Sequence, residues 1–400
     1  MKIVVCEPQC WGFEHALFNA ALLNTVLLAY PEARVYYLGE AGHLEWVRAY
    51  LGRASEECLG RVEWRAIDIP AADYLHWGRF TRYGYRQEQV WFNQVRDLLR
   101  RESPRLLVLA SITNPGLFVV KRSMLLGLVS LPTLIIPHSI LALLLTKHPL
   151  KPLLDWMLSF RQVLAFPQPR HLRYIALGGS IYSHLLSASP KLASRFNVLD
   201  PPYLWDSGVP PGSHLEPRQP GERVRFGYMG VGYKGFEGFT RLAGAIQPRG
   251  LNSEFLLVGF LNTPVDSSLY RGVVQGVSDT PLTPEEYGRR AVSLTYAVWT
   301  ARPEHYRLAA SVSFIDALSF AKPGIYLRNP FIEHYAQKMG DIGYLCDSLD
   351  EMQAVMLEIL HDFPGQRYQA QRQNILHGRR IFEPETLAPR LREIGRECGV

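Results

Sequence analysis

The stretch SVSFIDALSFAKPGIYLRNPFIEHY, residues 311–335, reads as a helix followed by a strand. Ser311 and Ser313 stand before a short apolar helix over 314–320, and Pro323 opens the strand. A helix leading into a strand is half of a parallel α/β layer, and the rest of the chain repeats the alternation. Around it VRFGYMG, EFLLVGF, LTYAVWT and IGYLCDS are apolar runs of strand length separated by helical stretches. The first half carries KIVVC, RVYYLGE, VEWRAIDIP, RLLVLAS, TLIIPHS and HLRYIALGGS in the same relation to helical segments. One of these, from Glu14 to Tyr30, is apolar at Ala16, Phe18, Ala20, Leu22, Val26 and Leu28 and ends at Pro31, as a largely buried helix would. The predicted class is α/β, with two doubly wound, Rossmann-like domains facing a cleft.

Four hundred residues exceed one compact core and suit two domains. Between 198 and 222 the composition turns to Pro201, Pro202, Gly208, Pro210, Pro211, Gly212, Pro217, Pro220 and Gly221, which is linker chemistry. The expected organisation is an N-terminal domain over 1–200, a linker over 201–222, a second domain over 223–365, and a helical segment over 366–400 returning to the first domain. With 47% hydrophobic and 20% charged residues the chain can fill two cores, which excludes a disordered chain. Cys6, Cys10, Cys58, Cys346 and Cys398 are scattered, without a C-x-x-C pair or zinc spacing. Neither a disulfide framework nor a metal site is expected, and a reducing cytoplasm fits. The opening MKIVVCEPQC has too short an apolar run for a signal peptide.

Charge is uneven. Residues 114–175 hold Lys121, Arg122, Lys147, Lys151, Arg161, Arg170 and Arg173 against Asp155 alone, while the net charge of the whole chain is +6. Ser123 to Thr146 has no charged residue apart from His138 and is long enough to raise a membrane span. Pro132, Pro137 and His138 interrupt it, so LPTLIIPHS is expected to be a buried strand between helices. A basic, apolar-rich surface there suits peripheral contact with anionic lipid headgroups. No nucleic acid partner is expected.

Two motifs in the second half point to a phosphate-bearing ligand. At the start of the 314–320 helix, backbone N–H groups and the hydroxyls of Ser311 and Ser313 would favour an anion, and Asp316, one turn in, could accept both hydroxyls of a ribose. A serine at such a place also acts as a simple helix cap. FGYMGVGYKGFEGF, residues 226–239, is a strand, a turn with Gly230 and Gly232, and Lys234-Gly235 opening a helix. Glycines admit close backbone approach and the lysine adds a point charge. Arg302 and Arg307 lie just upstream of the serine turn, Tyr306 is placed either to stack on a base or to pack in the core, and Asn329 and Glu333 follow the next strand.

Together these runs resemble the nucleotide-sugar signature of GT-B glycosyltransferases with a family-1/4-like C-terminal domain, in which a serine-rich turn, an acidic residue and a helix lead into a Gly/Lys-Pro strand. Here that last element is Ala321-Lys322-Pro323, with Asp316 where the family usually has Glu and Ala321 where it usually has Gly. The resemblance implies a donor site made of Gly230, Gly232, Lys234, Gly235, Arg307, Ser311, Ser313, Asp316 and Glu333. It implies a nucleoside diphosphate sugar as donor and no other cofactor. The sequence shows no D-x-D beside a strand, so metal-independent transfer is expected.

In open α/β sheets ligands bind beyond the carboxyl ends of the strands, which directs attention to PQCWGFEHALFN, residues 8–19. Gly12 permits close approach, and Glu14 and His15 stand at the helix start. Glu14 and His138, at the end of TLIIPHS, are the candidate general bases, with His15, Gly179 and Ser180 in acceptor-side loops. The expected reaction moves a sugar to a polysaccharide, lipid-linked or other glycan acceptor at the inner face of a membrane. Two other readings fit the same motifs: a non-catalytic nucleotide-sugar-binding subunit partnering another glycosyltransferase, and a nucleotide-sugar epimerase.

Overall fold

In the computed structural model, which describes residues 1–70, 80–137, 139–145, 156–205, 219–232, 234–262 and 265–400, the chain forms two compact units. The first comprises Met1–Leu204, Leu308–Ala310 and Ile381–Val400, and the second Trp205–Arg307 and Ser311–Arg380.

The first unit is a seven-stranded sheet of β1 (Lys2–Cys6), β2 (Arg34–Gly39), β3 (Val62–Ala66), β4 (Leu106–Leu109), β5 (Thr133–Ile135), β6 (Leu172–Leu177) and β7 (Phe196–Leu199). All neighbours are parallel, in the order β3-β2-β1-β4-β5-β6-β7. The order reverses between β1 and β4, so the loops after these two strands diverge and leave room for a ligand. The helix Ala16–Ala29 is buried on nearly every side, which is why its apolar residues show no single stripe. Arg61 ends it, donating to the carbonyls of Leu27, Tyr30 and Ala33 at 3.1, 2.7 and 3.1 Å.

The second unit has five parallel strands, β8 (Val224–Val231), β9 (Ser253–Phe260), β10 (Tyr296–Trp299), β11 (Gly324–Leu327) and β12 (Gly343–Cys346), in the order β12-β11-β10-β8-β9. Its reversal falls between β8 and β10. Both sheets are doubly wound, as expected from the alternation of apolar runs and helical segments.

Three details differ from the sequence reading. The edge strand β7, FNVL, was not anticipated: it has four residues, and an edge position needs only one hydrogen-bonded flank. The segment 366–400 divides, since the helix Gln366–Gly378 stays with the second unit and sends Tyr368 into its core. Only the helix Pro384–Cys398 belongs to the first, burying Leu387, Leu391 and Ile394. The helix of the 311–335 stretch starts at Val312, so Ser313 lies inside it rather than before it.

Ser123–Thr146 is broken into the end of the helix Asn114–Leu125, the strand β5 and a 3-10 turn at Ser139–Leu145. Among the described residues no helix is long and apolar enough to cross a membrane. Most of the 201–222 linker lies outside the described residues.

The pairing of β8 with β9 depends on two glycines facing each other, Gly230 and Gly259. A Cβ on Gly259 would sit on the carbonyl oxygen of Gly230, and backbone cannot give way as a side chain can. Gly259→Ala should therefore cost about 3 kcal/mol, at the upper end for overpacking. In urea the second unit should unfold at a lower midpoint with an unchanged slope; an unaltered midpoint would show that the strands part here at little cost.

Candidate functional site

In the second unit the sequence motifs meet at the carboxyl ends of β8 and β10. Gly230 has φ +97°, and a Cβ on it would lie 3.1 Å from the Cβ of Ser313, so the end of β8 rests directly on the start of the helix Val312–Ser319. Gly235, at φ +90°, caps the helix Phe236–Ile246 without any side-chain bond. A Cβ there would come within 2.5 Å of the Thr300 carbonyl, and Thr300 Oγ1 donates to the Gly235 carbonyl at 2.6 Å. Glycine is required because backbone meets backbone. At Gly232 a Cβ would meet the side chain of Leu261 rather than backbone, and the Gly232 N–H donates to the Phe260 carbonyl at 2.9 Å.

Lys234 sits between these turns. Its backbone carbonyl accepts from the Tyr228 hydroxyl at 2.9 Å, and its Nζ lies 5.4 Å from the centre of the Tyr306 ring. Tyr306 is buried, with its ring 6.4 Å from that of Phe331. Its face thus supports the lysine from within the core instead of standing open to stack on a base. His305 is the electrical reporter of this corner: partial burial, then the charges of Lys234 and Arg302, hold its pKa below the ordinary 6.5 against the opposing pull of Glu304. Arg302 and Arg307 are both exposed beside it. The corner is cationic and has a helix start aimed at it, the arrangement that holds anions.

The serines are partly engaged by the fold. Ser311 is the cap of the Val312–Ser319 helix, its Oγ accepting from Phe314 N at 3.3 Å. Ser313 Oγ lies 3.3 Å from Ser311 Oγ and accepts from Trp299 Nε1 at 3.4 Å. Asp316 falls in the second turn, past the reach of the helix start, and its Oδ2 accepts from the Tyr287 hydroxyl at 3.1 Å. Burial, and then the Asp316 charge, push the Tyr287 hydroxyl far above its usual range, so it remains a donor. Glu333 is in the first turn of the helix Pro330–Met339, capped by Asn329. It pairs with Arg328 at 3.2 Å, which also bonds Asp347 at 2.5 Å. Ala321, where the resemblance favours Gly, has φ +49°, a left-handed conformation that glycine adopts more readily. Lys322 beside it is buried and donates to the carbonyls of Val292 and Leu294, both at 2.7 Å, closing the end of the helix Pro284–Ser293.

In the first unit the loop after β1 is built around a residue the sequence reading passed over. Glu7, one residue beyond β1 and 1% exposed, accepts from Gln9 N at 2.9 Å, from Asn19 Nδ2 at 3.1 Å and from the Ser111 hydroxyl. Ser111 follows β4, so Glu7 spans the reversal of the strand order. Asn19 Nδ2 is also 3.0 Å from His43 Nε2, and His43 Nδ1 is 2.9 Å from the Gly12 carbonyl. Glu40 takes Gly12 N at 3.3 Å and the N–H groups of Gly42 and His43 at 2.8 Å. Partial burial pushes the Glu40 carboxyl up, but those three donors outweigh it and hold it below its ordinary value.

Glu14 is exposed, and its Oε2 accepts from Trp11 N at 3.3 Å, closing the turn. His15, in a left-handed conformation with φ 50°, precedes the helix Ala16–Ala29. Burial lowers its pKa, opposed by Glu7 and Glu14 and reinforced by His43, so the imidazole is neutral at pH 7. Gly179 and Ser180 open the helix Gly179–Ala188 after β6, with Ser180 buried. His138 lies outside the described residues. Among the described residues no group of three or more His, Cys, Asp or Glu is placed to hold a metal.

No protein-family model matches the sequence, and no curated protein matches it. Solved structures do. The chain is similar to Anabaena Alr3699/HepE in complex with UDP and glucose, at TM-score 0.64 and 13% identity over 98% of this chain and 99% of that one. It is similar to WaaG, a glycosyltransferase involved in lipopolysaccharide biosynthesis, at TM-score 0.62 and 14% identity over 98% and 99%. A trehalose 6-phosphate synthase from Burkholderia multivorans matches at TM-score 0.60 and 13% identity over 99% and 96%. At these identities the likeness establishes the fold, which is the two-unit GT-B fold expected from the sequence.

If Lys234 charges the corner as its position indicates, Lys234→Ala should move the His305 pKa upward, toward 6.5, while burial keeps it from reaching that value. Proton NMR of the imidazole resonances across pH 5 to 8, roughly the range in which histidine titrates, measures this. An unmoved pKa would place the lysine charge elsewhere.

Proposed function

We propose that this protein is a glycosyltransferase that moves a sugar from a nucleoside diphosphate sugar to a glycan or lipid-linked acceptor. The observation that carries the reading is the contact of Gly230 with Ser313, which brings the glycine turn, Lys234 and two helix starts to one corner of the second unit. HepE has been solved with UDP and with UDP-glucose, which supports a uridine nucleotide as the first donor to try.

In this reading the diphosphate lies against the start of the Phe236–Ile246 helix, with Lys234 and Arg307 neutralising the charge that grows on it as the glycosidic bond breaks. These cations do the work that a metal ion does in other transferases, so transfer is metal-independent. Asp316 takes the ribose hydroxyls, with Tyr287 holding one carboxylate oxygen in place. Gly230, Gly232 and Gly235 admit the phosphates, the helix begun by Ser311 and Ser313 adds its dipole, and Glu333 completes the ribose contact.

The first unit takes the acceptor in the loops carrying Gly12, His15, Gly179 and Ser180. An attacking hydroxyl must lose a proton, and Glu14 and His138 remain the candidate bases. The neutral imidazole of His15 adds a third, since only the unprotonated ring can accept a proton. The buried Glu7 would orient this loop through Asn19, His43 and Gly12. The protein would work in the cytoplasm, on the inner face of a membrane, its basic 114–175 region resting on anionic lipid.

A panel of nucleoside diphosphates and their sugars in a thermal melt tests the donor. A ligand at about 100 times its Kd should stabilise the protein by about 2.7 kcal/mol, and no response to any member would overturn the reading. With the donor in hand, Asp316→Asn should weaken its binding tenfold or more, because each charge-assisted hydrogen bond contributes about 1.5 to 3 kcal/mol. Calorimetric titration giving equal affinities, with only the melting point lowered, would remove the ribose assignment.

A further inference from the structure

The first unit buries a second carboxylate besides Glu7. Glu88, in the helix Arg82–Glu102, is 1% exposed. Its Oε1 accepts from the Thr113 hydroxyl and its Oε2 from the Trp91 indole N–H, both at 2.6 Å. Thr113 caps the helix Asn114–Leu125, its Oγ1 accepting from Gly116 N at 2.9 Å. A Cβ on Gly116 would come within 2.7 Å of Glu88 Oε2, so the carboxyl lies directly on the first turn of that helix. Any larger residue at 116 would push it away.

Both of its partners are neutral. Among the described residues, the charged groups of the elements packed against the Arg82–Glu102 helix are engaged elsewhere. On the helix Asn114–Leu125, Lys121 donates to the carbonyls of Val163 and Leu164, and Arg122 to the Tyr85 hydroxyl. The one charged residue of β1, Lys2, pairs with Glu102 at 2.8 Å. Glu7 reaches the same loop, but through Ser111. A carboxylate enclosed without a cation favours its neutral form. Burial accordingly pushes the Glu88 carboxyl up to about 7, against the pull of the Thr113 and Trp91 hydrogen bonds.

The proton changes what the carboxyl can do. Ionised, it accepts from Thr113 and Trp91 and holds a full charge in the core. Protonated, it still accepts from Trp91, which can only donate, and turns its O–H toward Thr113. The Thr113 hydroxyl then accepts from both Glu88 and Gly116 N, with no buried charge. The loop concerned follows β4 and is one of the two that flank the reversal of strand order, where the first unit leaves room for a ligand.

We propose that Glu88 and Thr113 form a proton-controlled latch on the loop after β4, closed while Glu88 carries its proton and loosened when the carboxyl ionises and seeks water. The latch stands independently of the glycosyl-transfer reading. Its direction is fixed by linkage. A proton held more tightly in the closed form stabilises that form fully below the ordinary 4.5, and the contribution is lost as pH rises through about 7. With those two values for the open and closed forms, the opening constant rises about tenfold between about pH 6 and about pH 8.

Amide hydrogen exchange of the full chain reads the latch at Gly116, whose N–H bonds the Thr113 hydroxyl. After correction for intrinsic exchange, Gly116 protection in the wild type should fall about tenfold over that pH range. In Glu88→Gln it should stay constant, because the amide keeps a donor for Thr113 and an acceptor for Trp91 at every pH. An equal response in both proteins overturns the latch. Should Glu88→Gln fail to fold, the infrared band of a protonated carboxylic acid decides in the wild type labelled at glutamate. That band should disappear with a midpoint near neutrality, when exposed carboxylates have long been ionised. Thr113→Val should move the midpoint upward, since it removes a hydrogen bond that favours the ionised form and touches Glu88 rather than Glu7. No titrating band near neutrality, or a midpoint unmoved in Thr113→Val, refutes the proposal.

Discussion

The second unit depends on backbone approaching backbone with no side chain between. Gly259 lies against the Gly230 carbonyl, Gly235 against that of Thr300, and Gly343 against that of Gly324. A Cβ at any of these positions would push two chain segments apart. At Gly235 and Gly230 the consequence reaches the candidate site, because these contacts set where the Phe236–Ile246 and Val312–Ser319 helices begin relative to β8. Unpaired N–H groups at a helix start are useful to an anion only when the start is brought close to it. The glycines make that approach possible, and Lys234, carried on the same turn, adds a full charge.

The two units treat charge in opposite ways. The second gathers cations at its corner and leaves them near the surface, where they add to the effect of burial in lowering the His305 pKa. The first buries a carboxylate, Glu7, and surrounds it with donors from three separate segments. A buried carboxylate is costly unless its oxygens are satisfied, so Glu7 fixes Asn19, the Gln9 backbone and Ser111 in one arrangement. Through Asn19 and His43 the constraint extends to Gly12. The loop is therefore anchored from inside, while Glu14 stands exposed on it.

Much of the fold was legible in the sequence because parallel strands covered on both faces must be apolar almost throughout. KIVVC, RLLVLAS and EFLLVGF announce themselves for that reason. The strand FNVL escaped because it is short, holds a polar residue in its middle and sits at an edge. The returning tail was misjudged in extent for a related reason: the helix Gln366–Gly378 is polar along most of its length and buries Gln371 and Arg372 beside Tyr368 and Ile375, and nothing in its composition or in that of the helix Pro384–Cys398 says which core each one meets.

The sequence by itself determined the alternation of elements, the glycine turns and the nature of the groups at the candidate site, since these follow from local chemistry and from periodicity. Tertiary structure alone decided which of those groups have been claimed by the fold. Ser311 became a cap, Glu333 an ion-pair partner of Arg328, and Tyr306 a buried support for Lys234. It also raised Glu7 from an unnoticed residue to the centre of a network, and set Leu126 and Phe166 in water when their chemistry would have placed them inside. The support of Lys234 by Tyr306 and the network around Glu7 join residues far apart in the sequence, and a pattern read along one chain contains no record of distance across it.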